Sequence, residues 1–407
     1  MDKADLVVVG AGTIGGWASV FAKAEGLGRV VVVERDQVGM GASSRAAGIV
    51  RAQGGIPATV ALGRWSIDFY RGQQAAYGTD SGFRELGYLI LAITEEDEAA
   101  GRERVAMQQV EGLPVRWLDV SEAARIAGTL APTGHRGGSF LETDGHIDPP
   151  RNVRAYSLAM QAAGVELRER TAFTGLRTIS GDAGHECVIA AETSAGPIET
   201  ERVLLTGGPS LRPVGRSAGL RIPAGAARHT VAVLEPHPAF AVAQPMVFDI
   251  GRGLYWRLEE GGLLFGWSDP DEAPGEARAI DWSAYERIRA RLADLVPVTR
   301  DLGLRRIWAA TIDYTPDHLP ILGPAIRPDG ARIEGVTVAS AGGHGMMWGP
   351  GVARVAADLA VHGRTGLIDV ADLGLDRFDE HGRSRLPPDP IALPFPESAE
   401  DDAAMLP

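Results

Sequence analysis

Three glycines and one carboxylate, Gly10, Gly12, Gly15 and Glu34, have the types and spacing to hold a dinucleotide. The run Gly10-Ala-Gly12-Thr13-Ile14-Gly15-Gly16 follows an apolar strand, Asp5 to Val9, and opens a helix. Gly10 permits a tight turn, Gly12 lets the backbone approach a pyrophosphate, and Gly15 lets the helix pack close to the strand. The pyrophosphate is expected at the helix N-terminus, by Thr13 and Ile14, where N–H groups and the helix dipole favour negative charge. A second apolar strand, Val30 to Val33, ends in Glu34, which is placed to hold ribose hydroxyls, with Arg35 beside it. A glycine signature alone is weak; here strand, turn, helix, second strand and acid fall in order.

Further segments suit the same ligand. Gly41-Ala-Ser43-Ser44-Arg45-Ala-Ala47-Gly48 is crowded with small residues, so it can run close against a planar ring while Ser43, Ser44 and Arg45 offer donors. Ala172 follows the strand Val165 to Arg168, and Thr206-Gly207-Gly208 ends another buried strand. Gly342-Gly343-His344-Gly345-Met346-Met347-Trp-Gly-Pro350 ends in a proline suited to a first helical turn.

The elements that must position these residues divide the chain. A dinucleotide domain is expected in three pieces, 1–80, 141–215 and 310–370. A substrate domain, 81–140 and 216–309, is dominated by strands and reads as an antiparallel sheet with one exposed face. Residues 371–407, rich in Pro, Asp and Glu, read as a tail with little core. The fold class is α/β: a Rossmann-like domain interleaved with an antiparallel-sheet α+β domain, and a ligand cleft between them.

Composition limits the partners. The 407 residues carry 40 basic and 53 acidic side chains, a net charge of −13, which argues against a nucleic acid or an anionic membrane. No apolar run is long enough to span a bilayer, and no leader is expected before the first strand. The one cysteine, Cys187, lies in a strand-like run and is expected to be buried. It excludes an intrachain disulfide and fits a reducing cytoplasm. The nine histidines lack metal-ligand spacing, so no metal is implied.

Taken together the motifs resemble the FAD-dependent D-amino-acid oxidase superfamily, in its glycine oxidase and sarcosine oxidase branch. The resemblance runs over about residues 4 to 380. It rests on Gly10–Gly15, Gly41–Arg51, Asp144-Gly-His-Ile-Asp-Pro149, Thr206-Gly-Gly-Pro209, Thr315-Pro-Asp-His-Leu-Pro-Ile-Leu-Gly323 and Gly342-Gly-His-Gly-Met346. It implies a glutathione-reductase-like FAD domain, a small amine or amino-acid substrate, and molecular oxygen as acceptor. The helix after Gly342–Trp348 would face the flavin pyrimidine edge. FAD is expected to be non-covalent. The region before the Thr-Pro-Asp motif, Trp308 to Tyr314, lacks the cysteine that some relatives use, and Arg45 matches the position of a histidine used by others.

The substrate side departs from the relatives. A carboxylate-binding lysine of sarcosine oxidase matches Met347, an arginine of glycine oxidase falls near Ile312, and a lysine that activates oxygen falls near Leu264. Arg51, Tyr255, Arg257 and His344 remain as candidates. Arg51 resembles a substrate-side arginine. Tyr255 and Arg257 alternate on one strand and so share a face; they bind a carboxylate together if that face is the cleft, and otherwise Arg257 is a solvated sheet residue. Met346, Met347 and Trp348 suit either an apolar pocket wall or core packing. The expected substrate is bulkier or more apolar than glycine, such as an N-substituted amino acid. An FAD dehydrogenase of a 2-hydroxy acid, a flavoprotein subunit of a multi-chain oxidase and a nicotinamide enzyme stay open as alternatives. Oligomeric state is open.

Overall fold

The valine runs of the first motif explain how the fold begins. Leu6–Val9 and Val30–Val33 are adjacent parallel strands, in register from Leu6 opposite Val30 to Val9 opposite Val33. β-branched residues favour strands, and unbroken apolar runs suit a strand covered on both faces. Leu6, Val8, Val30 and Val32 face a core shared with the helices Thr13–Ala24, Pro149–Ala162 and Gly349–His362. Val7, Val9, Val31 and Val33 face a second core with Leu211, Ile222 and Ile321. This computed structural model describes residues 2–181, 186–276 and 279–394.

Five parallel strands form the heart of the first sheet, in the order Glu166–Arg168, Val30–Val33, Leu6–Val9, Val203–Leu205 and Arg332–Ser340. Glu186–Thr193 and Phe173–Ser180 extend it, and Ile321–Ile326 pairs antiparallel with Arg332–Ser340. The second sheet has eight strands. Leu304–Tyr314, Gly225–Leu234, Gly262–Trp267, Leu254–Glu259 and Met246–Asp249 lie in that order, followed by Tyr88–Leu91, Gly138–Leu141 and Arg116–Leu118. Its pairs are antiparallel except Met246–Asp249 with Tyr88–Leu91. The mixed α/β architecture is the expected one.

Four expectations need correction. The second sheet has no exposed face: Tyr88, Val231, Phe248 and Tyr255 pack toward the first domain, while Leu89, Ala232, Trp256 and Phe265 pack against the helix Trp282–Leu295. Strand alternation there separates two apolar faces rather than an apolar and a polar one. The strand Leu304–Tyr314 carries the second sheet past the boundary expected at 309. The tail is not coreless through Leu393, because Leu373, Leu375, Arg377, Asp389 and Ile391 are buried; residues 395–407 lie outside the described residues. Cys187 is only half-buried, with its thiol 3.6 Å from Glu334 Oε2. No helix among the described residues is long and apolar enough to cross a membrane.

Candidate active site

A cavity of about 440 Å³ runs from the C-terminal ends of the first parallel strands to the inner face of the second sheet. Its first half is backbone and glycine. Gly10 has φ +96°, and a Cβ there would lie 3.1 Å from Thr206 Oγ1. A Cβ on Gly15 would meet Gly10 O at 1.9 Å, so only glycine lets the helix start this close to the strand. The helix Thr13–Ala24 begins at Gly12 without a side-chain cap. Glu34 is held in place: its Oε2 accepts the Ala11 N–H at 2.9 Å and its Oε1 accepts the Asp36 N–H at 3.0 Å. Ser43 Oγ accepts the Thr13 N–H at 3.0 Å.

The expected contacts fall largely together. Gly10, Gly12, Thr13, Ile14, Gly15, Glu34 and Arg35 line the cavity, as do Ser43, Ala47, Gly48 and Ala172. Thr206, Gly207, Gly343, Gly345, Met346 and Met347 line it too. Ser44 and Arg45 do not. Their small-residue loop coils on itself, so Ser44 Oγ donates to Gly39 O at 2.5 Å and the Arg45 guanidinium donates to Met40 O and Gly41 O. The lining stops at Met347, so the first turn of the helix Gly349–His362 stands behind it, and Ser66 Oγ accepts its Gly351 N–H at 3.1 Å.

The second half of the cavity is apolar with a few polar groups. Arg51, 2% exposed, donates from Nη1 to Gln53 O and from Nη2 to Ile391 O at 3.0 Å. Its Nε has no hydrogen-bond partner among the described residues. Asp144, from the Asp-Gly-His-Ile-Asp-Pro motif, holds this segment: its carboxylate accepts the Ala52 N–H at 2.7 Å and Gln53 Nε2 at 3.1 Å. Burial pushes the Asp144 carboxyl up to about 7, against the pull of those N–H groups and of Arg51. His344 lines the cavity, its ring centroid 4.2 Å from that of Trp348 and tilted 31° to it, and burial with the Arg51 charge holds it down at about 3. It is a neutral imidazole at pH 7.

Tyr255 and Arg257 do share a strand face, yet only Tyr255 lines the cavity. Arg257 lies over the small-residue loop, where its Nε donates to Ala47 O at 3.0 Å and its Nη1 pairs with Glu259 at 2.5 Å. It braces the loop rather than reaching a ligand, and it is neither solvated nor a partner of Tyr255. The Tyr255 ring crosses the next strand because its neighbour there is Gly266, whose Cβ would stand 2.1 Å from the hydroxyl. Its hydroxyl meets His229 Nε2 at 2.5 Å. Among the positions matched to relatives, Met347 and Ile312 line the cavity. Leu264 is buried in the apolar cluster beside Tyr255.

Sequence reasoning missed His229, Tyr88, Phe248, Ile391 and Leu393, which also line the cavity, and gave Asp144 no role. Only Asp144 carried a signal, being part of a motif already singled out. The others are ordinary strand and tail residues until the sheet and the C-terminal segment are in place.

Residues 5–359 match the family described as DAO, FAD dependent oxidoreductase. The chain belongs to this FAD-dependent oxidoreductase family. FAD is the cofactor of the family, and the glycine cradle, the fixed Glu34 and the elongated cavity fit it. Among its relatives, the 4-methylaminobutanoate oxidase (formaldehyde-forming) of Paenarthrobacter nicotinovorans is 28% identical over 393 residues, 93% of this chain. The chain spans 46% of that relative's length. The solved glycine oxidase of Geobacillus kaustophilus superposes with a TM-score of 0.78 at 26% identity, covering 93% of this chain and 100% of that one. The L-proline dehydrogenase of P. horikoshii shares the fold, with a TM-score of 0.84 at 24% identity, covering 94% and 100%.

Proposed function

We propose that this oxidoreductase acts on the C–N bond of an amino acid or secondary amine that carries a carboxylate and is N-substituted or bulkier than glycine. One observation carries the reading: Arg51 is a buried cation that lines the cavity, and its Nε has no hydrogen-bond partner among the described residues. A buried guanidinium in an apolar cavity is a ready site for a carboxylate, since charge-assisted hydrogen bonds strengthen where water is excluded. Tyr255 offers an oxygen for the amine, and the apolar walls formed by Phe248, Ile312 and Met347 favour a substrate with hydrocarbon bulk.

Held by Gly10, Gly12, Gly15 and Glu34, bound FAD would supply a two-electron acceptor for oxidation of the substrate's C–N bond to an imine, with hydrogen peroxide as the second product where oxygen is the reoxidant. The chain's residues bind and orient. Gly10, Gly12, Gly15 and Glu34 hold the nucleotide half, Arg51 fixes the carboxylate, and the neutral His344 and His229 add no positive charge that would repel an ammonium group. Cys187 does not line the cavity, in keeping with non-covalent FAD.

A second reading, a dehydrogenase that passes electrons to another carrier, is favoured by one fact. The chain has two lysines, Lys3 and Lys23, and neither lines the cavity. An anaerobic absorbance titration of the flavoprotein separates the two. The panel would hold N-alkyl glycines, D- and L-amino acids and 2-hydroxy acids, with air admitted at the end. Bleaching by an amine and fast recovery with peroxide supports the oxidase. Bleaching by an amine with recovery only on adding a carrier supports the dehydrogenase of an amine. Bleaching by hydroxy acids alone overturns the C–N assignment.

A further inference from the structure

The segment that closes the described chain is tied down and then turned into the cavity. Arg377 pairs with Asp317 at 2.7 Å with both side chains fully buried. Ser384 Oγ donates to the same carboxylate at 2.6 Å, and the Asp389 N–H donates to the Asp317 carbonyl at 2.9 Å. Asp317, from the Thr-Pro-Asp motif, thus anchors the segment at three points. Asp389 Oδ1 next accepts the Ile391 N–H at 2.9 Å, and the Ile391 carbonyl accepts Arg51 Nη2 at 3.0 Å. The Ile391 side chain is 1% exposed and packs with Tyr88, Phe248 and Tyr255. Ile391 and Leu393 both line the cavity. Past them, Pro394 sits over Gly253, where a Cβ would meet it at 2.4 Å.

We propose that Asp389–Leu393 is a wall of the substrate pocket and that Ile391 is a specificity-determining residue. Its side chain limits the bulk of the group attached to the substrate carboxylate, and its carbonyl holds the Arg51 guanidinium in place. This rests on the reading of Arg51 as the carboxylate partner. The physical basis is stiffness. A β-branched side chain has little χ1 freedom, and hydrogen bonds at its own N–H and carbonyl fix the backbone that carries it. The boundary it sets therefore cannot yield to a larger ligand at small cost. One methylene in an apolar pocket is worth roughly 10-fold or more in discrimination, and Ile391→Ala removes three carbons while keeping the carbonyl.

The test uses the FAD-loaded full chain, titrated with acetate, butyrate, hexanoate and benzoate and read by perturbation of the flavin absorbance. Ile391→Ala is expected to improve hexanoate and benzoate relative to acetate by about 10-fold or more. Ile391→Phe is expected to shift the ratio the other way. Should Ile391→Phe fail to retain flavin, Ile391→Val gives an intermediate ratio between wild type and Ile391→Ala. A ratio unchanged across these variants, with acetate still bound, overturns the proposal and leaves the Arg51 reading intact. No perturbation of the wild-type flavin by any carboxylate overturns the Arg51 reading, and the proposal with it.

Discussion

His229 Nε2 lies 2.5 Å from the Tyr255 hydroxyl, with the two rings 13° from parallel and their centroids 5.6 Å apart. Burial holds the His229 imidazole down at about 4 and raises the Tyr255 phenol, so both are neutral at pH 7. The pair shares one proton in either tautomer: the Tyr255 O–H donates to Nε2, or Nε2–H donates to the phenol oxygen. On the other side of the ring, His229 Nδ1 faces Ser268 Oγ at 3.0 Å. In either tautomer the Tyr255 oxygen keeps a lone pair for a donor on the ligand. Tyr255→Phe is expected to weaken an amine-bearing ligand about 5-fold, roughly 1 kcal/mol for one hydrogen bond, while leaving acetate nearly unchanged. Equal losses for both ligands, read by flavin perturbation, would remove Tyr255 from amine recognition.

Gly15→Ala should be far more damaging than a helix-propensity argument predicts, since alanine is the better helix former. The new methyl would sit 1.9 Å from Gly10 O, a backbone atom that cannot move without opening the turn. The expected result is a protein without yellow colour and destabilised by about 1–3 kcal/mol or more. A yellow Gly15→Ala protein with an unchanged melting temperature would refute the tight strand-to-helix approach.

Arg51→Ala is expected to weaken carboxylate ligands by roughly 2–5 kcal/mol, the range for truncating one partner of a buried charge pair. Arg51→Lys should rescue little. A lysine cannot serve Gln53 O, Ile391 O and a ligand from one planar fork. An unchanged Kd for acetate in Arg51→Ala would take this arginine out of the site.

Asp144 sets a pH dependence with a definite sign. Its folded pKa is raised by burial from 3.8 to about 7. The folded protein keeps a proton there that the unfolded chain releases at lower pH. The stabilisation is complete below pH 3.8 and is lost as pH rises through about 7. Relative to Asp144→Asn, wild type should lose on the order of 4 kcal/mol between about pH 4 and pH 8. Acetate binding should also weaken above about pH 7, as the new carboxylate competes for the field of Arg51. Urea melts of both proteins check the first statement; parallel pH slopes would mean that Asp144 is ionised throughout.

What the sequence determined is what neighbouring residues enforce on one another. The strand–turn–helix at Gly10–Gly15 and the acid at Glu34 follow from periodicity and glycine spacing, and the structure has them. The proline-led helix at Pro350 is legible too, because proline suits the first turn.

Tertiary structure alone decided the substrate side. Arg257 and Tyr255 are two residues apart and look equivalent, yet one braces a loop at Ala47, 210 residues away, and the other faces the cavity. Arg51 meets Ile391 across 340 residues, so a segment that reads as an acidic, proline-rich tail becomes a pocket wall. No local pattern encodes such contacts. Main-chain periodicity is written in adjacent residues, whereas the partner of a buried polar group is set by which surfaces the two sheets and the C-terminal segment bring together.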